Sequence, residues 1–338
     1  MNALRRRGRC RRASATGWTL GRRTPVTNLR ARAWLLPSVA ALLFSGSYIA
    51  AKVATRELGP FSATLLRYVV ALVLLAALLR RVEAPARLPR KADVGYLVLL
   101  GLLGIAAYHV LFFTALRFTE VGNTAIVNAT SPVVTALMAA AVIKERLRGR
   151  EYAGVGVAVA GVLLLLSRGR PDLAVQMNVN VGDALMMLSV LSWAGYSLLV
   201  RRLSARYASV TLTFWASVAG VVLLIPLALA EGLPRAVARA SPATWLAVGY
   251  MGIAASAVGY VLYNRSIAAI GPTRTASVVY SVVPVLVTIL AWLTLGEPVT
   301  GIMVASTALI LVGLHLALGR AGCAPAVQGS PRGEPSAG

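Results

Sequence analysis

VGNTAIVNATSPVVTALMAAAVIKERLRGREYAGVGVAVAGVLLLL, residues 121–166, is the stretch that decides how this chain is built. It reads as a long apolar helix with Pro132 in its middle, a short charged hairpin from Lys144 to Glu151, and a second apolar helix rich in glycine. Much of it returns later in the chain. Shifted by about 152 positions, Pro132 falls on Pro284, Ala139 on Ala291, Glu145 on Glu297, Gly149 on Gly301 and Gly161 on Gly313. Earlier in the same register, Tyr108 falls on Tyr260. Self-similarity at half the chain length marks a tandem duplication.

The two copies are set in an apolar chain: 58% of the 338 residues are hydrophobic and 13% are charged. That much apolar surface needs a bilayer rather than a soluble core, so an all-α membrane protein is expected. The charge is lopsided, with 34 basic against 11 acidic residues and a net +23. In a soluble protein such a balance points to nucleic acid. Here the basic residues gather between hydrophobic runs, where membrane topology accounts for them, and no nucleic-acid partner is expected. Cys10 and Cys323 lie outside every apolar run, so neither a disulfide framework nor a metal site follows from them, and no cofactor is expected. Residues 1–33 carry ten arginines and no acid; they read as a disordered cytoplasmic tail or an over-called start, with an organelle transit peptide as the alternative.

A helix needs about 20 apolar residues to cross roughly 30 Å of hydrocarbon. By that measure the chain holds ten spans, near 34–53, 61–79, 94–115, 121–143, 152–167, 183–200, 208–230, 242–263, 273–294 and 300–318. Turn chemistry separates them at Gly59-Pro60, Gly232 to Pro234, Ser241-Pro242, Gly271-Pro272 and Glu297-Pro298. Residues 34–167 form a first five-helix repeat, 168–182 an extracytoplasmic connection, 183–318 a second repeat and 319–338 a disordered cytoplasmic tail. The N-terminal tail, the loops after spans 2, 4, 6 and 8, and the C-terminal tail hold about 26 of the Lys and Arg residues, against about 7 near the other loops. Basic loops stay inside, so both termini are expected in the cytoplasm, across the cell membrane. Five spans are an odd number, and the second repeat must therefore insert upside down, as two inverted five-helix repeats.

Polar side chains are costly in hydrocarbon and should face the bundle interior. In span 4, Thr124, Asn128, Ser131 and Thr135 recur at i, i+4, i+7 and i+11, one stripe down one face, with Pro132 beside it as a kink. Span 9 answers with Ser277, Tyr280, Ser281 and Thr288. Span 1 offers Ser38, Ser45, Tyr48 and Lys52; span 6 offers Ser189, Ser192, Trp193 and Tyr196; span 3 offers Tyr108, His109 and Phe112; span 8 offers Ser256, Tyr260, Tyr263 and Asn264. A cavity lined by spans 1, 3, 4, 6, 8 and 9 is expected, with spans 2, 5, 7 and 10 facing lipid or packing.

Within that cavity Asn128, Ser131 and Tyr280 are the expected substrate contacts and Tyr108, Tyr260 and Trp193 the walls. His109 is the candidate for any proton-linked step, against a neutral structural role. Tyr263 and Trp245 read as interfacial anchors. Arg67 should snorkel outward or pair with a carboxylate or carbonyl, a structural role ahead of a substrate one. Glu145 and Glu297 read as staples held by the N-terminus of the helix that follows each. Gly154, Ala158 and Gly161 make a small-residue face for close packing within the chain or across a homodimer. No Asp or Glu lies deep in a span, and there is no phosphate loop or nucleophile-base motif, so nothing argues for an enzyme.

The duplication, the Pro of spans 4 and 9, and the Glu-then-glycine hairpins from Glu145 to Gly161 and Glu297 to Gly313 resemble the EamA-type members of the drug/metabolite transporter superfamily. Phe44, Gly46, Lys52, Pro60 and Arg67 match the start of that pattern in the first half. In the second half Trp193 and Gly195 match, Arg201 stands in for the lysine, and no arginine answers Arg67. The resemblance covers residues 34–318. It implies export of amino acids or related small metabolites across the cytoplasmic membrane through a central cavity, and it names no substrate. Two rival readings are efflux of hydrophobic cations, which would want a membrane-embedded carboxylate, and a non-transporting membrane scaffold, which would need no wet interior.

Overall fold

A computed structural model describes residues 26–82, 89–143, 149–167 and 180–318, and among them every regular element is a helix. In chain order we label α1 (Val26–Ala54), α2 (Pro60–Val82), α3 (Lys91–Ala115), α4 (Val121–Asn128 continued by Ser131–Ile143), α5 (Gly149–Leu166), α6 (Val181–Leu203), α7 (Ser209–Glu231), α8 (Pro242–Ile270), α9 (Pro272–Leu295) and α10 (Gly301–Leu318). A short helix, Leu233–Arg239, follows α7. α1 starts at Val26, upstream of the expected 34, and α6 at Val181. Glu145 and the tail 319–338 fall outside the described residues.

The helix boundaries follow local chemistry. Ser241 accepts from the Thr244 N–H ahead of Pro242, and Asn180 accepts from the Gly182 N–H, so each supplies an oxygen to an orphan donor of the first turn. Gly232 (φ 94°) and Gly296 (φ 69°) end α7 and α9 in the left-handed region, where a Cβ would be strained.

Eight of these helices are long and apolar enough to cross a bilayer; the apolar parts of α5 and α10, Tyr152–Leu165 and Gly301–Leu316, are shorter. The expectation of ten spans therefore rests on those two. They pack on each other. Gly313 lies against the backbone of Gly154 and Ala158, and Gly161 against Ser306, Leu309 and Ile310. The small-residue face of α5 is thus filled from within the chain and is not free for a homodimer. Outward-facing Val73, Val142 and Leu246 are 73%, 71% and 76% exposed, the apolar coat that lipid requires.

Helix packing repeats under exchange of the two halves. α1 lies on α9 as α6 lies on α4, α3 on α6 as α8 on α1, and α3 on α7 as α8 on α2. α2 with α7, α4 with α9 and α5 with α10 pair helix against matching helix. Cations mark the same symmetry. At the end of α1, Lys52 donates to the carbonyls of Leu116 (2.6 Å) and Thr119 (3.2 Å), just past α3. At the end of α6, Arg201 donates to Ala268 (2.8 Å) and Ile267 (3.4 Å) in the last turn of α8. Each cation neutralises the negative end of a helix dipole.

The two cations occupy opposite ends of the bundle. The start of α2, which follows directly on the end of α1, meets the end of α7, where Glu231 accepts from the Ser62 N–H at 2.7 Å. The end of α6 meets the start of α3, where Arg206 pairs with Asp93 at 2.8 Å. α1 and α6 therefore run in opposite directions.

Candidate functional site

Three departures from regular helix converge at mid-bundle. α4 breaks at Ala129 and Thr130, where the Thr130 N–H turns to Val127 only three residues back, at 3.1 Å. α3 passes through a π-helical segment at Gly101–Ala107, and α8 through a matching one at Met251–Gly259. The π segments end at Tyr108 and Tyr260, the pair that the repeat relates. Such widened turns release carbonyls from the helical ladder and recur at functional sites. Here side chains take those carbonyls up: Ser192 donates to Leu103 (2.8 Å), Tyr260 to Gly104 (2.9 Å) and the Nδ1 of His109 to Ile105 (3.1 Å). Pro132 and Pro284 have no N–H, so the carbonyls four residues back, those of Asn128 and Tyr280, lose their helical donors. These two residues are also related by the repeat.

Around this junction lies a cavity of about 30 Å³, lined by Phe44, Ser47 and Tyr48 of α1, Arg67 of α2, Tyr108, His109 and Phe112 of α3, Asn128 of α4, Trp193 of α6, Tyr260 of α8 and Tyr280 of α9. That is room for about one water, so the site is nearly filled by its own side chains. Asn128 anchors the wall. Its Nδ2 donates to the hydroxyls of Tyr48 and of Tyr108, the latter at 3.1 Å, while its Oδ1 accepts from Ser131 at 2.8 Å. Three helices are tied through one amide. Trp193 packs between Tyr108 (ring centroids 4.7 Å apart, planes tilted by 40°) and Tyr260 (5.2 Å, edge to face), and its Nε1 donates to Tyr263 at 3.0 Å. A second polar knot stands apart from the cavity, where Asn264 donates to Tyr196 (2.8 Å) and Thr213 (2.9 Å).

Of the seven residues singled out from the sequence, Asn128, Tyr280, Tyr108, Tyr260, Trp193 and His109 meet at this cavity, and Ser131 stands behind it, positioning Asn128. Other members of the stripes are spent on their own helices: Thr124 on the Val121 carbonyl, Ser277 on Thr273 and Ser281 on Ser277. The Thr135 hydroxyl is buried without a partner among the described residues. Tyr263 is fully buried against Trp193, so it is no interfacial anchor, whereas Trp245 is 41% exposed. Glu297 does cap a helix, but not the one that follows it: its carboxylate accepts from the N–H groups of Val121 (3.1 Å) and Gly122 (3.2 Å) at the start of α4 in the other repeat.

The sequence reading left α2 out of the cavity, and α2 supplies Arg67. That side chain is 3% exposed, with Nε donating to the Ser256 Oγ at 2.6 Å and Nη1 4.0 Å from the Met251 sulfur. It neither snorkels nor finds a carboxylate among the described residues. Tyr48, on the polar face read in span 1, is the other contributor whose weight was missed. No three His, Cys, Asp or Glu side chains gather into a metal-binding group among the described residues.

A larger cavity of about 490 Å³ opens at the bundle end where α1 and α3 finish and α4 and α6 begin. Lys52, Arg117, Glu120, Asn123 and Asn180 line it, with Thr300 just ahead of α10 and Met303 in its first turn.

Fold and site together describe a multi-pass helical membrane protein built of two repeats around an internal polar cavity. The model of the EamA-like transporter family matches residues 32–167 and again 180–319, and the chain belongs to that family. It is a membrane transporter and not an enzyme. A protein of Archaeoglobus fulgidus described as an uncharacterized transporter is 31% identical over 269 residues, covering 80% of this chain and 91% of that one. A probable terminal-alkyne amino-acid exporter of Streptantibioticus cattleyicolor is 27% identical over 232 residues, 68% of this chain and 75% of the other. A crystal structure described only as that of a protein superposes with a TM-score of 0.60 at 24% identity, covering 84% of this chain and 96% of that one, a likeness of fold.

Proposed function

We propose that this transporter exports amino acids or related small metabolites by alternating access, with the cavity around Asn128 as its substrate site. The carrying observation is the place of that cavity. Its walls come from both repeats, and the elements that can bend, the break in α4 and the two π segments, meet there. Transporters built of inverted repeats bind at the interface of the repeats, near the midplane, where helices are interrupted. We read the chain as ten spans in two inverted repeats, both termini in the cytoplasm of a cell whose outer boundary membrane it crosses. The 490 Å³ cavity then opens on the extracytoplasmic side, at the arginine-poor loops, and the small inner cavity is the site in its closed form. Opening and closing would exchange α4 and α9 contacts around Asn128 and Tyr280. The likeness to an amino-acid exporter supports the substrate class.

The test is uptake of a panel of labelled amino acids into liposomes holding the purified protein, with and without an imposed pH gradient. Saturable uptake of one or more of them is the expected result. Loss of uptake when the gradient collapses assigns proton coupling, with His109 as the group to mutate; persistence assigns a facilitator. Absence of saturable uptake for the whole panel rejects the substrate class.

A further inference from the structure

The guanidinium of Arg67 is buried at the cavity wall. Arg carries five N–H donors. Among the described residues one of them, on Nε, makes a firm bond, to Ser256, and the other hydrogen-bond partner is a thioether sulfur at 4.0 Å. The face of its neighbour Tyr68 lies 5.7 Å from the guanidinium carbon. A full positive charge deep in a bundle needs an answering negative group, and none of the cavity-lining residues is acidic.

A purely structural role is hard to reconcile with the repeat. Gly252 of α8 packs on the backbone of Arg67 and on Val70, and Gly101 of α3, one position out of the 152-residue register, packs on Ala216, Ala219 and Gly220 of α7, where Ala219 answers Arg67. The same helix junction is therefore built twice, once with arginine and once with alanine. The fold needs no cation there.

The remaining wall suits a small anion with an apolar body. The hydroxyls of Tyr48 and Tyr108, held by the Asn128 amide, bring O–H groups to the wall, while Trp193, Phe44 and Phe112 supply apolar surface. The passage between this site and the extracytoplasmic side has the same sign: among the described residues the 490 Å³ cavity carries Lys52 and Arg117 against the carboxylate of Glu120.

We infer that Arg67 is the counter-charge for a substrate carboxylate, so that the transported compounds each present one carboxylate to α2 at the cavity. This rests on the central cavity being the transport site. It also separates this chain from carriers of hydrophobic cations, whose substrates Arg67 would repel. The planar fork of the guanidinium accepts a carboxylate through two parallel hydrogen bonds, which a lysine cannot reproduce.

The test uses proteoliposomes and labelled L-leucine, L-threonine and L-phenylalanine, each competed by the unlabelled amino acid and by its carboxamide, with labelled tetraphenylphosphonium as a cation control. The expected result is competition by the acids and at least tenfold weaker competition by the amides. Arg67→Gln should abolish uptake, and Arg67→Lys should retain a fraction of it at raised KM. Equal competition by acid and amide, or an Arg67→Gln protein with unchanged KM, overturns the inference. So does an uptake that fails when chloride is replaced by sulfate while amides still compete, since Arg67 would then hold an inorganic anion. Should Arg67→Gln fail to fold, the competition measured on the unaltered protein decides. Saturable uptake of the cation alone removes the carboxylate site and leaves a transporter; no saturable uptake of any probe removes both.

Discussion

Lys52 holds the carbonyl oxygen of Leu116 at 2.6 Å, closing the end of α3 with a cation from the end of α1. Arg201 and Ala268 repeat the contact at 2.8 Å in the other half. Either cation serves, because the partners are bare carbonyls at a helix C-terminus and not a shaped site. Lys52→Met should lower stability by about 1–2 kcal/mol, and Lys52→Arg should be nearly neutral. Thermal unfolding of the detergent-solubilised protein measures both.

Asn128 and Asn264 separate site from scaffold. Each amide joins side chains of neighbouring helices, but Asn128 lines the cavity and Asn264 does not. Replacing either by Ala strands buried hydroxyls, at a cost of about 1–3 kcal/mol. Transport per folded molecule should fall at least roughly tenfold in Asn128→Ala, the equivalent of about 1.4 kcal/mol of lost substrate contact, and stay near the unaltered level in Asn264→Ala. Paired unfolding and uptake measurements distinguish them.

Gly313 is pressed onto the backbone of α5, with 2.6 Å between a Cβ placed there and the Gly154 oxygen. Backbone cannot step aside as a side chain can. Gly313→Ala should cost about 1–3 kcal/mol through overpacking, while Gly249→Ala, with open space around it, should be tolerated. Because no residue of α5 or α10 lines the inner cavity, and Gly249 of α8 is not among its lining residues, KM for transport should not change in either protein.

Glu57, in the turn after α1, accepts a hydrogen bond from the Ser241 N–H at 2.7 Å, and that bond, with further help from Thr244 and Ser241 side chains, holds its carboxyl below the ordinary 4.5. A depressed folded-state pKa adds stability that is present above the unfolded value and lost as pH falls through the folded one. Stability should therefore decline on acidification below about pH 4.5, and Glu57→Gln should flatten that decline by a small amount, since the group is fully exposed. Unfolding midpoints between pH 6 and pH 3 test the sign.

Much of this site can be read from the chain because polar atoms are expensive in apolar spans. Asn128 stands out by cost and Tyr108, Tyr260 and Tyr280 by position in the repeat, and all four line the cavity. What escapes is what depends on tertiary neighbours. The π segments at Gly101–Ala107 and Met251–Gly259 leave only scattered glycines as a trace, and carbonyls of the first, those of Leu103 and Gly104, are satisfied from α6 and α8, partners that lie far off in sequence. Arg67 reads as a snorkelling or paired cation because sequence cannot show that no carboxylate reaches it. Glu297 finds a helix N-terminus across the repeat boundary, where a local reading looks only at the next helix. Tyr263 lies near a span end in sequence yet turns inward to Trp193.

The central claim, that the cavity between the repeats opens to each side in turn, is tested most directly by thiol labelling at the site. Cys10 and Cys323 are first replaced by Ser, and a single cysteine is introduced as Ser47→Cys or Tyr280→Cys. Membrane vesicles of defined sidedness are then exposed to an impermeant thiol reagent from the outside or the inside. Labelling from both sides, slowed by transported substrate, is the predicted result. Protection from the reagent on both sides would mean a dry core and contradict the account, and labelling from one side alone would contradict alternation.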